Sequence, residues 1–434
     1  MKKLLALTLL LALALPAQAM TTPILSANPV GGTLSTTAVR YIPLGPAGDV
    51  GSPGAGAINH TMPTAGTFSK LYVRMGAALV AGTSYEVVLM KNNVATALAV
   101  TITDTGLVEQ NTTDTVTAAA TDLVGYRITP SGTPVSETGN FQVGIVFDST
   151  VSGESLIFSR GITSDTTGND YFHFGGGSST SLGTTTYSTV FPTNGVIDKM
   201  YVTSGAPGVG NSRDITLMVN GVDSALTCNM AGTAGNCNDV SNTVSISAGD
   251  EVVMHEAITG TVTSTTINVA MRFVPTISGE SVMLSTGGNH SNAGNRYQNT
   301  HGYILNSSSE TAVYSVAPIA FTWKKLYVAF ATAPGTGNSR AYTARIGGAS
   351  QSLTASVADT GLTANDPSNT VSVAVGDLID WITIPVSAPD VPGRTGVGAV
   401  MYIAPPAAGA SETPVPIRIN YGGIWINNGS IIIR

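Results

Sequence analysis

The chain repeats itself three times, and no other feature of the sequence limits its fold as strongly. The tetrapeptide Lys-Leu-Tyr-Val at 70–73 returns as Lys-Met-Tyr-Val at 199–202 and as Lys-Leu-Tyr-Val at 325–328, with a proline upstream of each copy. The second and third copies are 126 residues apart. Because a solenoid unit has only about 20–50 residues, each copy is predicted to be a whole domain.

Further matches keep the same register. Gly-Asn-Ser-Arg occupies 210–213 and 337–340, Ser-Asn-Thr-Val-Ser occupies 241–245 and 368–372, and Gly-Glu-Ser occupies 153–155 and 279–281. These matches predict three β-domains, at 34–150, 151–277 and 278–404. The flanking segments are predicted to be a signal peptide at 1–19, an N-terminal tether at 20–33, and a Pro/Ala linker with an apolar tail at 405–434.

Turn residues interrupt short apolar stretches throughout the chain, which favours an all-β fold. The chain has 49 Gly and 22 Pro, and only 10% of its residues are charged, so it lacks the charged, Leu-rich stretches of helical bundles. Asn220-Gly221 marks a two-residue hairpin turn, and Asn92-Asn93 and Gly347-Gly348 take its place in the other repeats. Each repeat closes with an alternating apolar strand, at 141–147, 267–273 and 397–403.

The size of the repeat favours one sandwich topology. About 125 residues suit an eight-stranded jelly roll, so we predict three tandem jelly-roll-like β-sandwich domains plus a C-terminal β-tail. Immunoglobulin-like sandwiches of about 100 residues are the alternative, although their Cys and Trp spacing is missing. In the first Lys-Leu-Tyr-Val strand, strict alternation puts Leu71 and Val73 on one face and Phe68, Lys70 and Tyr72 on the other.

The first residues indicate export. A basic start at 2–3 precedes an apolar stretch at 4–15 and then Ala-Gln-Ala at 17–19. This pattern predicts signal-peptide cleavage after Ala19 and a secreted or cell-surface location. No later segment has 18 unbroken apolar residues, so no membrane span is expected in the mature chain. Cys228 and Cys237 enclose a loop of small residues and are predicted to form a disulfide, since no histidine lies at the spacing of a zinc site.

Catalytic motifs are scarce in the sequence, and we predict that the protein is not an enzyme. The chain contains neither Gly-x-Ser-x-Gly nor His-Glu-x-x-His, and no phosphate-binding loop precedes a helical pattern. A hydrolase is therefore the weakest hypothesis. The net charge of −7 gives no support for nucleic-acid binding. No cofactor is expected, although the Asn- and Asp-rich segments 236–239 and 365–367 leave structural calcium open.

A repeated polar loop is the candidate for ligand binding. It contains Asn211 and Arg213 in the second repeat and Asn338 and Arg340 in the third. These side chains are able to hydrogen-bond a glycan, but an ordinary turn with a solvated arginine is the favoured interpretation.

Other recurring polar residues have simpler interpretations. Asp250 and Asp377 follow a glycine just before an apolar strand and are expected to cap turns. The acidic pair Glu154 and Glu280 also recurs, but sequence alone does not show whether two carboxylates face each other as in a glycosidase. Four histidines are expected at scattered surface positions: His60, His173, His290 and His301. A metal site at His290 and His301 is left open.

The tail carries an excess of apolar, strand-forming residues behind the Pro/Ala linker. Asn428-Gly429 marks a hairpin turn within it. Either the tail pairs with the edge of the third domain, or it adds a strand to the next molecule and builds a filament. The candidate assembly strand comprises Ile417, Ile419, Tyr421, Ile424, Trp425, Ile426, Ile431, Ile432 and Ile433.

These features together predict a non-enzymatic structural protein that is secreted or lies on the cell surface. We expect a rod of three sandwiches that self-associates head to tail into an extracellular filament or layer. The alternative is a multivalent carbohydrate-binding protein or adhesin, which would use equivalent loops of the three repeats to gain avidity.

Overall fold

The computed structural model describes residues 19–27, 34–45, 59–135, 141–162, 164–174, 177–178, 188–288, 290–405, 417–419, 422–427 and 430–433. Residues 1–18 of the predicted signal peptide lie outside this part of the chain. The described residues form β-strands, with a short 3-10 helix at Glu310–Ala312 and no α-helix, which confirms the all-β prediction. None of the helical structure in this part of the chain is long and apolar enough to cross a membrane.

Repeat 1 folds into two antiparallel sheets. One sheet has the strand order β1-β9-β4-β7, the other has the order β2-β8-β5-β6, and the short β3 pairs with β8. The strands are β1 (Ala19–Ala27), β2 (Arg40–Ile42), β3 (His60–Thr61), β4 (Gly66–Arg74), β5 (Ser84–Lys91), β6 (Val94–Thr103), β7 (Val108–Ala118), β8 (Leu123–Ser131) and β9 (Gln142–Ser152).

Repeat 2 follows the same plan. Its sheets have the orders β12-β10-β19-β14-β17 and β11-β18-β15-β16, and the short β13 pairs with β18. The strands are β10 (Ser155–Ile162), β11 (Gly168–His173), β12 (Gly177–Ser178), β13 (Thr189–Val190), β14 (Gly195–Thr203), β15 (Gly208–Val219), β16 (Val222–Gly232), β17 (Asn236–Ile246), β18 (Glu251–Thr259) and β19 (Ile267–Pro275).

Repeat 3 matches repeat 2 strand for strand. Its sheets have the orders β22-β20-β29-β24-β27 and β21-β28-β25-β26, and the short β23 pairs with β28. The strands are β20 (Glu280–Gly288), β21 (Arg296–Gln298), β22 (Gly302–Leu305), β23 (Ser315–Val316), β24 (Phe321–Phe330), β25 (Gly335–Ile346), β26 (Ala349–Asp359), β27 (Thr363–Val373), β28 (Leu378–Val386) and β29 (Arg394–Tyr402).

This strand order is that of a jelly roll. When the short strands are set aside, the chain crosses to the other sheet after every strand except at the hairpin β5–β6 and its equivalents. An immunoglobulin-like sandwich instead keeps several sequential hairpins within one sheet. The predicted β-sandwich class is therefore confirmed, and the topology favours the jelly roll over its alternative.

The hairpin turns have the predicted backbone conformation. Asn220 and Gly221 both have positive φ, 51° and 78°, and so do the turn residues at 92–93 and 347–348. Positive φ at both central residues is the mark of a type I′ turn, whose twist matches that of the flanking strands. The residues change between repeats while the turn is retained.

A β-bulge overturns the predicted alternation in the Lys-Leu-Tyr-Val strand. Lys70 has a φ of 54°, and the ladder register shifts between Ser69 and Leu71. Because a bulge adds one residue to its strand, Phe68 and Leu71 both lie in the core although they are three positions apart. The prediction that they occupy opposite faces is wrong. Lys199 and Lys325 repeat this bulge, with φ of 48° and 54°.

The predicted tether at 20–33 is wrong for its first part, because β1 belongs to the sandwich of repeat 1. β1 pairs antiparallel with β9, and Ile24 lies in the hydrophobic core. Its register matches that of β10 and β20, since Thr22, Ser155 and Ser281 lie opposite equivalent residues of the closing strands. The first copy lacks the Gly-Glu-Ser signature, so this strand was not recognisable from the repeat pattern.

The three sandwiches close into a ring with threefold pseudo-symmetry. The short strand of each repeat lies on the next repeat: β3 on β14 and β19, β13 on β24 and β29, and β23 on β4 and β9. Phe158 of β10 packs into the core of repeat 1, Leu284 of β20 into that of repeat 2, and Leu25 of β1 into that of repeat 3. The predicted rod is therefore wrong, because repeat 3 contacts repeat 1.

Glycines let the backbones approach closely at two of these junctions. A Cβ atom added at Gly144 would lie 2.7 Å from the carbonyl oxygen of Val316, and one added at Gly398 would lie 1.9 Å from that of Val190. Ala270 holds the equivalent register position in repeat 2, so the junction between repeats 1 and 2 accommodates a methyl group.

The C-terminal residues 404–434 form a separate unit. Its strands β30 (Ile417–Ile419), β31 (Gly422–Asn427) and β32 (Ser430–Ile433) pair with one another as an antiparallel meander. Among the candidate assembly residues, Tyr421 lies outside the described part of the chain, as does the predicted turn at 428–429. The tail strands thus build a sheet of their own, an arrangement that neither sequence-based alternative contained.

Candidate functional site

A buried carboxylate lies at the centre of the junction between repeats 2 and 3. Glu280, at the start of β20, is 0% exposed. It accepts hydrogen bonds from Thr193 Oγ1 at 2.5 Å and from Lys325 Nζ at 2.7 Å, and Lys324 Nζ lies 2.9 Å from its Oε1. Burial alone would raise the pKa of Glu280, but these hydrogen bonds outweigh burial and leave the pKa below its usual value. The two repeats therefore share an ionised carboxylate.

Glu154 is the counterpart of Glu280 at the junction between repeats 1 and 2. Thr64 of repeat 1 donates a hydrogen bond to its carboxylate. Arg272 of repeat 2 bridges Glu154 and Asp198, with Nε 2.6 Å from Asp198 Oδ1. The recurring glutamates therefore belong to two different junctions, and each is neutralised by a basic side chain.

The junction between repeats 3 and 1 has no carboxylate at this place. Register puts Thr21 at the position of Glu154 and Glu280. Instead, the Arg74 guanidinium lies 5.3 Å from the ring centre of Tyr314, which is a cation–π distance. The ring thus has two ionic junctions and one cation–π junction.

The first strands of the three repeats meet around the pseudo-threefold axis. They enclose an apolar cavity of about 50 Å³, lined by residues 23–25 of β1, 156–158 of β10 and 282–284 of β20. A cavity of this size holds no more than a few water molecules. The first strands therefore leave only a small apolar cavity where they meet.

Buried imidazoles flank these first strands. His60 hydrogen-bonds to the carbonyl oxygen of Ser159 at 3.3 Å, and Nδ1 of His301 lies 3.3 Å from Thr300 Oγ1. Burial lowers the pKa of both histidines to about 3, so they are neutral at neutral pH. The predicted surface positions of the four histidines are wrong, since each of them is buried: His60, His173, His290 and His301.

A groove follows the junction between repeats 2 and 3, and we call it the 2–3 groove. It consists of three cavities of about 200, 320 and 170 Å³, whose lining residues follow one another along the junction. Strand β24 forms one wall, where Tyr327 borders two of the cavities. Residues 188–194 and 248–251 of repeat 2 form the other wall.

The predicted ligand loops are closed by internal hydrogen bonds. Arg213 is 0% exposed and pairs with the equally buried Glu256. Arg340 is also buried and donates to the carbonyl of Ser291 at 2.7 Å. The prediction of a solvated arginine is wrong, because each guanidinium satisfies buried polar groups between loops. Asn211 and Asn338 donate to the carbonyls of Pro207 and Pro334 within the same loops.

The recurring aspartates act on the backbone. Asp250 and Asp377 cap turns as predicted, each accepting an N–H bond of 2.7 Å. Asp239 and Asp366, in the segments that left calcium open, accept backbone N–H groups two and three residues further on. The side-chain amides of Asn242 and Asn369 also donate to these carboxylates, and the bonds together outweigh burial and lower the pKa of both carboxyls. Over the described residues, no three His, Cys, Asp or Glu side chains converge as metal ligands.

Repeat 3 holds a charged cluster that the sequence did not reveal. Arg345 binds Glu310 through Nε at 2.5 Å and Nη2 at 3.0 Å. Asp380 lies opposite Arg345 in the β25–β28 ladder, and burial followed by the nearby Glu310 raises its pKa to about 8. In repeat 2 the same ladder positions hold Met218 and Val253, which form a small apolar cluster. Only the pairing of strands brings these charges together.

The predicted disulfide is confirmed. Cys228 of β16 and Cys237 of β17 are bonded, with Cα atoms 5.8 Å apart. These are the outermost strands of the two sheets of repeat 2, so the bond joins the sheets at one edge.

Comparisons with known proteins do not place the chain in a family. No protein-family model matches it, and no curated protein matches it significantly. The function is therefore inferred from the geometry.

Proposed function

We propose that this protein is a non-enzymatic structural protein of the cell exterior that self-associates through its C-terminal tail. Its building block is the ring of three jelly rolls. The observation that carries the proposal is the return of repeat 3 to repeat 1 through contacts like those between the other repeats.

Ring closure decides where molecules can join. A head-to-tail junction between repeats would extend into a filament if it stayed open, but here the third junction uses the surface of the first repeat. The junction surfaces are therefore occupied within one chain. Growth requires another contact, and the tail unit of residues 404–434 supplies candidates for it.

The tail is too small to bury an apolar core of its own. Units below about 40 residues usually need a disulfide, a metal or a partner chain to be stable. Its register places Ile417, Ile424 and Ile433 in one cross-strand row, and Ile426 opposite Ile431. The paired strands of the tail are therefore rich in isoleucine. Burying these apolar residues against the tail of a second molecule supports self-association.

Export supports an extracellular role for this assembly. The signal-peptide pattern at 1–19 and the Cys228–Cys237 disulfide both suit an oxidising compartment. The ring itself is held together by buried ionic and apolar contacts between the repeats.

Light scattering coupled to gel filtration tests the proposal. The mature chain should elute as large species, and a chain lacking 405–434 should be monomeric. A matched variant, Ile424→Lys with Ile426→Lys, keeps the tail length but places charge in the apolar strand β31 and should also be monomeric. Two results contradict the proposal: a full-length monomer at high concentration, or a truncated chain that assembles like wild type.

A further inference from the structure

The residues that line the 2–3 groove follow one another along both of its walls. Its three cavities border Lys325 and Tyr327, then Tyr327 and Val328, and then 329–331, in the order of β24. Across the groove, repeat 2 contributes 192–194, then Val190 with Gly249, and then Ser188 with Glu251. Binding sites in proteins occur preferentially at such domain interfaces.

The lining of the groove combines one aromatic ring with polar groups of both kinds. Tyr327 is half-buried and shared by two cavities. Asn365 is exposed beside it, and Asn194 lies in the next cavity. Glu251 and Arg394 line the far cavity, one accepting and the other donating hydrogen bonds. A sugar hydroxyl both donates and accepts, so it needs such a mixed lining, and the face of a sugar ring needs a flat apolar surface.

The walls do not suit an extended peptide. A peptide gains affinity from main-chain hydrogen bonds to an unpaired strand edge. The backbone of β24 is paired on both sides, since Tyr327 lies opposite Asn365 in β27 and Gly398 in β29. β13 pairs with β18 along one side only and is two residues long, which is too short an edge for an extended peptide. The groove therefore offers a ligand mainly side chains.

Sequence differences set this junction apart from that between repeats 1 and 2. Gly249 donates its N–H to Phe191 O, and Thr121 makes the same bond to Met62 O in repeat 1. A Cβ atom at Gly249 would lie 3.8 Å from Tyr327 Cε1, so a side chain there would project beside the tyrosine ring. Glycine at 249 keeps the space around Tyr327 open, whereas threonine occupies the equivalent place beside repeat 2.

We propose that the 2–3 groove binds a neutral oligosaccharide, with one sugar ring stacked on Tyr327. Asn365 and Asn194 hydrogen-bond the hydroxyls of that sugar and of the next one. Glu251 and Arg394 bind a third sugar at the far end. This site differs from the loops of Asn211, Arg213, Asn338 and Arg340, whose arginines are buried.

The test uses the whole mature chain and a panel of neutral hexasaccharides: maltohexaose, cellohexaose, chitohexaose and mannohexaose. Saturation-transfer NMR detects binding, and calorimetry gives the dissociation constant. Tyr327→Ala and Asn365→Ala should each weaken binding about tenfold. Such a change corresponds to about 1.4 kcal/mol for the loss of one stacked ring or of one side-chain amide that makes two hydrogen bonds. Asn365→Ala should keep the wild-type melting temperature within about 2 °C, because Asn365 is exposed. Tyr327 is half-buried, so the melting temperature of Tyr327→Ala is compared with that of Tyr201→Ala, whose tyrosine is half-buried too.

The junction between repeats 1 and 2 provides matched controls. Tyr201 lies opposite Asn238 as Tyr327 lies opposite Asn365. Tyr201→Ala and Asn238→Ala should change the dissociation constant by less than about twofold. The proposal is overturned if no hexasaccharide binds at millimolar concentration, or if both pairs of variants weaken binding equally. A chain lacking 405–434 should bind as well as wild type, which separates this site from the assembly role of the tail.

Discussion

Replacing Glu280 by glutamine should weaken the ring at the junction between repeats 2 and 3. Glutamine has nearly the shape of glutamate, but it removes the negative charge that faces Lys324 and Lys325. Wild-type Glu280 is fully buried, while the two lysine side chains keep 19% and 24% of their surface exposed. The substitution therefore leaves two half-buried ammonium groups without their counter-ion.

The expected cost follows from these exposures. Removing one partner of a fully buried ion pair destabilises a protein by about 3–5 kcal/mol. Both lysines remain partly exposed to water, and Lys324 Nζ retains its cation–π contact, 4.1 Å from the centre of the Tyr402 ring. We therefore expect a destabilisation at the lower end of this range, about 3 kcal/mol. The pH dependence follows the same logic. Because the fold lowers the pKa of Glu280 below 4.5, its contribution to stability is present above that pH and is lost as the pH falls through the lowered pKa.

Urea unfolding followed by tryptophan fluorescence measures this effect. Trp323 and Trp381 lie together in the core of repeat 3, with ring centres 4.3 Å apart, so two of the three tryptophans report on the repeat that contains Glu280. Glu109→Gln, at an exposed position of β7, is the control and should change the free energy of unfolding by less than about 0.5 kcal/mol. The reasoning is refuted if Glu280→Gln behaves like this control at pH 7. It also fails if the difference from wild type persists undiminished at pH 3.

Two further predictions concern acid sensitivity and an added disulfide. Burial lowers the pKa of His60 from 6.5 to about 3, so it contributes stability above pH 6.5 that is lost as the pH falls toward 3. The raised pKa of Asp380 acts on stability in the opposite sense, so the test compares the free energy of unfolding of wild type with that of His60→Gln. This difference should change by about 1.4 kcal/mol per pH unit between pH 6 and 4. It would not depend on pH if the histidine were solvated. Ala355 and Ala364 hold the register positions of Cys228 and Cys237, and replacing both with cysteine should form a bond that stabilises repeat 3 by about 2–3 kcal/mol in unfolding experiments without reductant. Titration of two free thiols in the oxidised double variant would contradict that equivalence.

The local turns were accessible from sequence because they depend on residues near one another in the chain. The type I′ turn at Asn220-Gly221 and the capping aspartates Asp250 and Asp377 are determined by the backbone conformation of a few residues. The length of the repeat and its internal matches then favour the jelly roll. The bulge at Lys70 was not predicted, because lysine has no preference for positive φ that would indicate a bulge in the sequence.

The ring and the groove were not accessible, because they depend on contacts between domains. Leu25 looks like any apolar residue of a tether, and only the structure shows that it enters the core of repeat 3. Arg213 reads as a surface charge until its partner Glu256, 43 residues away, is placed beside it. Every copy of the tetrapeptide has a tyrosine at the position of Tyr327, and this repetition was the one sequence feature that pointed to the position. Nothing in that repetition says which junction leaves its tyrosine beside an open space.

The position of β1 has a consequence for how the chain acquires its fold. β1 is made first, yet Thr21 bonds to Asp148, 127 residues later, and Leu25 needs the core of repeat 3. Non-local pairings of this kind slow folding and leave apolar strands exposed in the meantime. Repeat 1 can therefore not finish folding while the chain is still emerging. Repeat 3 is synthesised last, and its strand β23 covers β4 and β9 of repeat 1. A chain interrupted before β23 and β24 therefore leaves this surface of repeat 1 exposed.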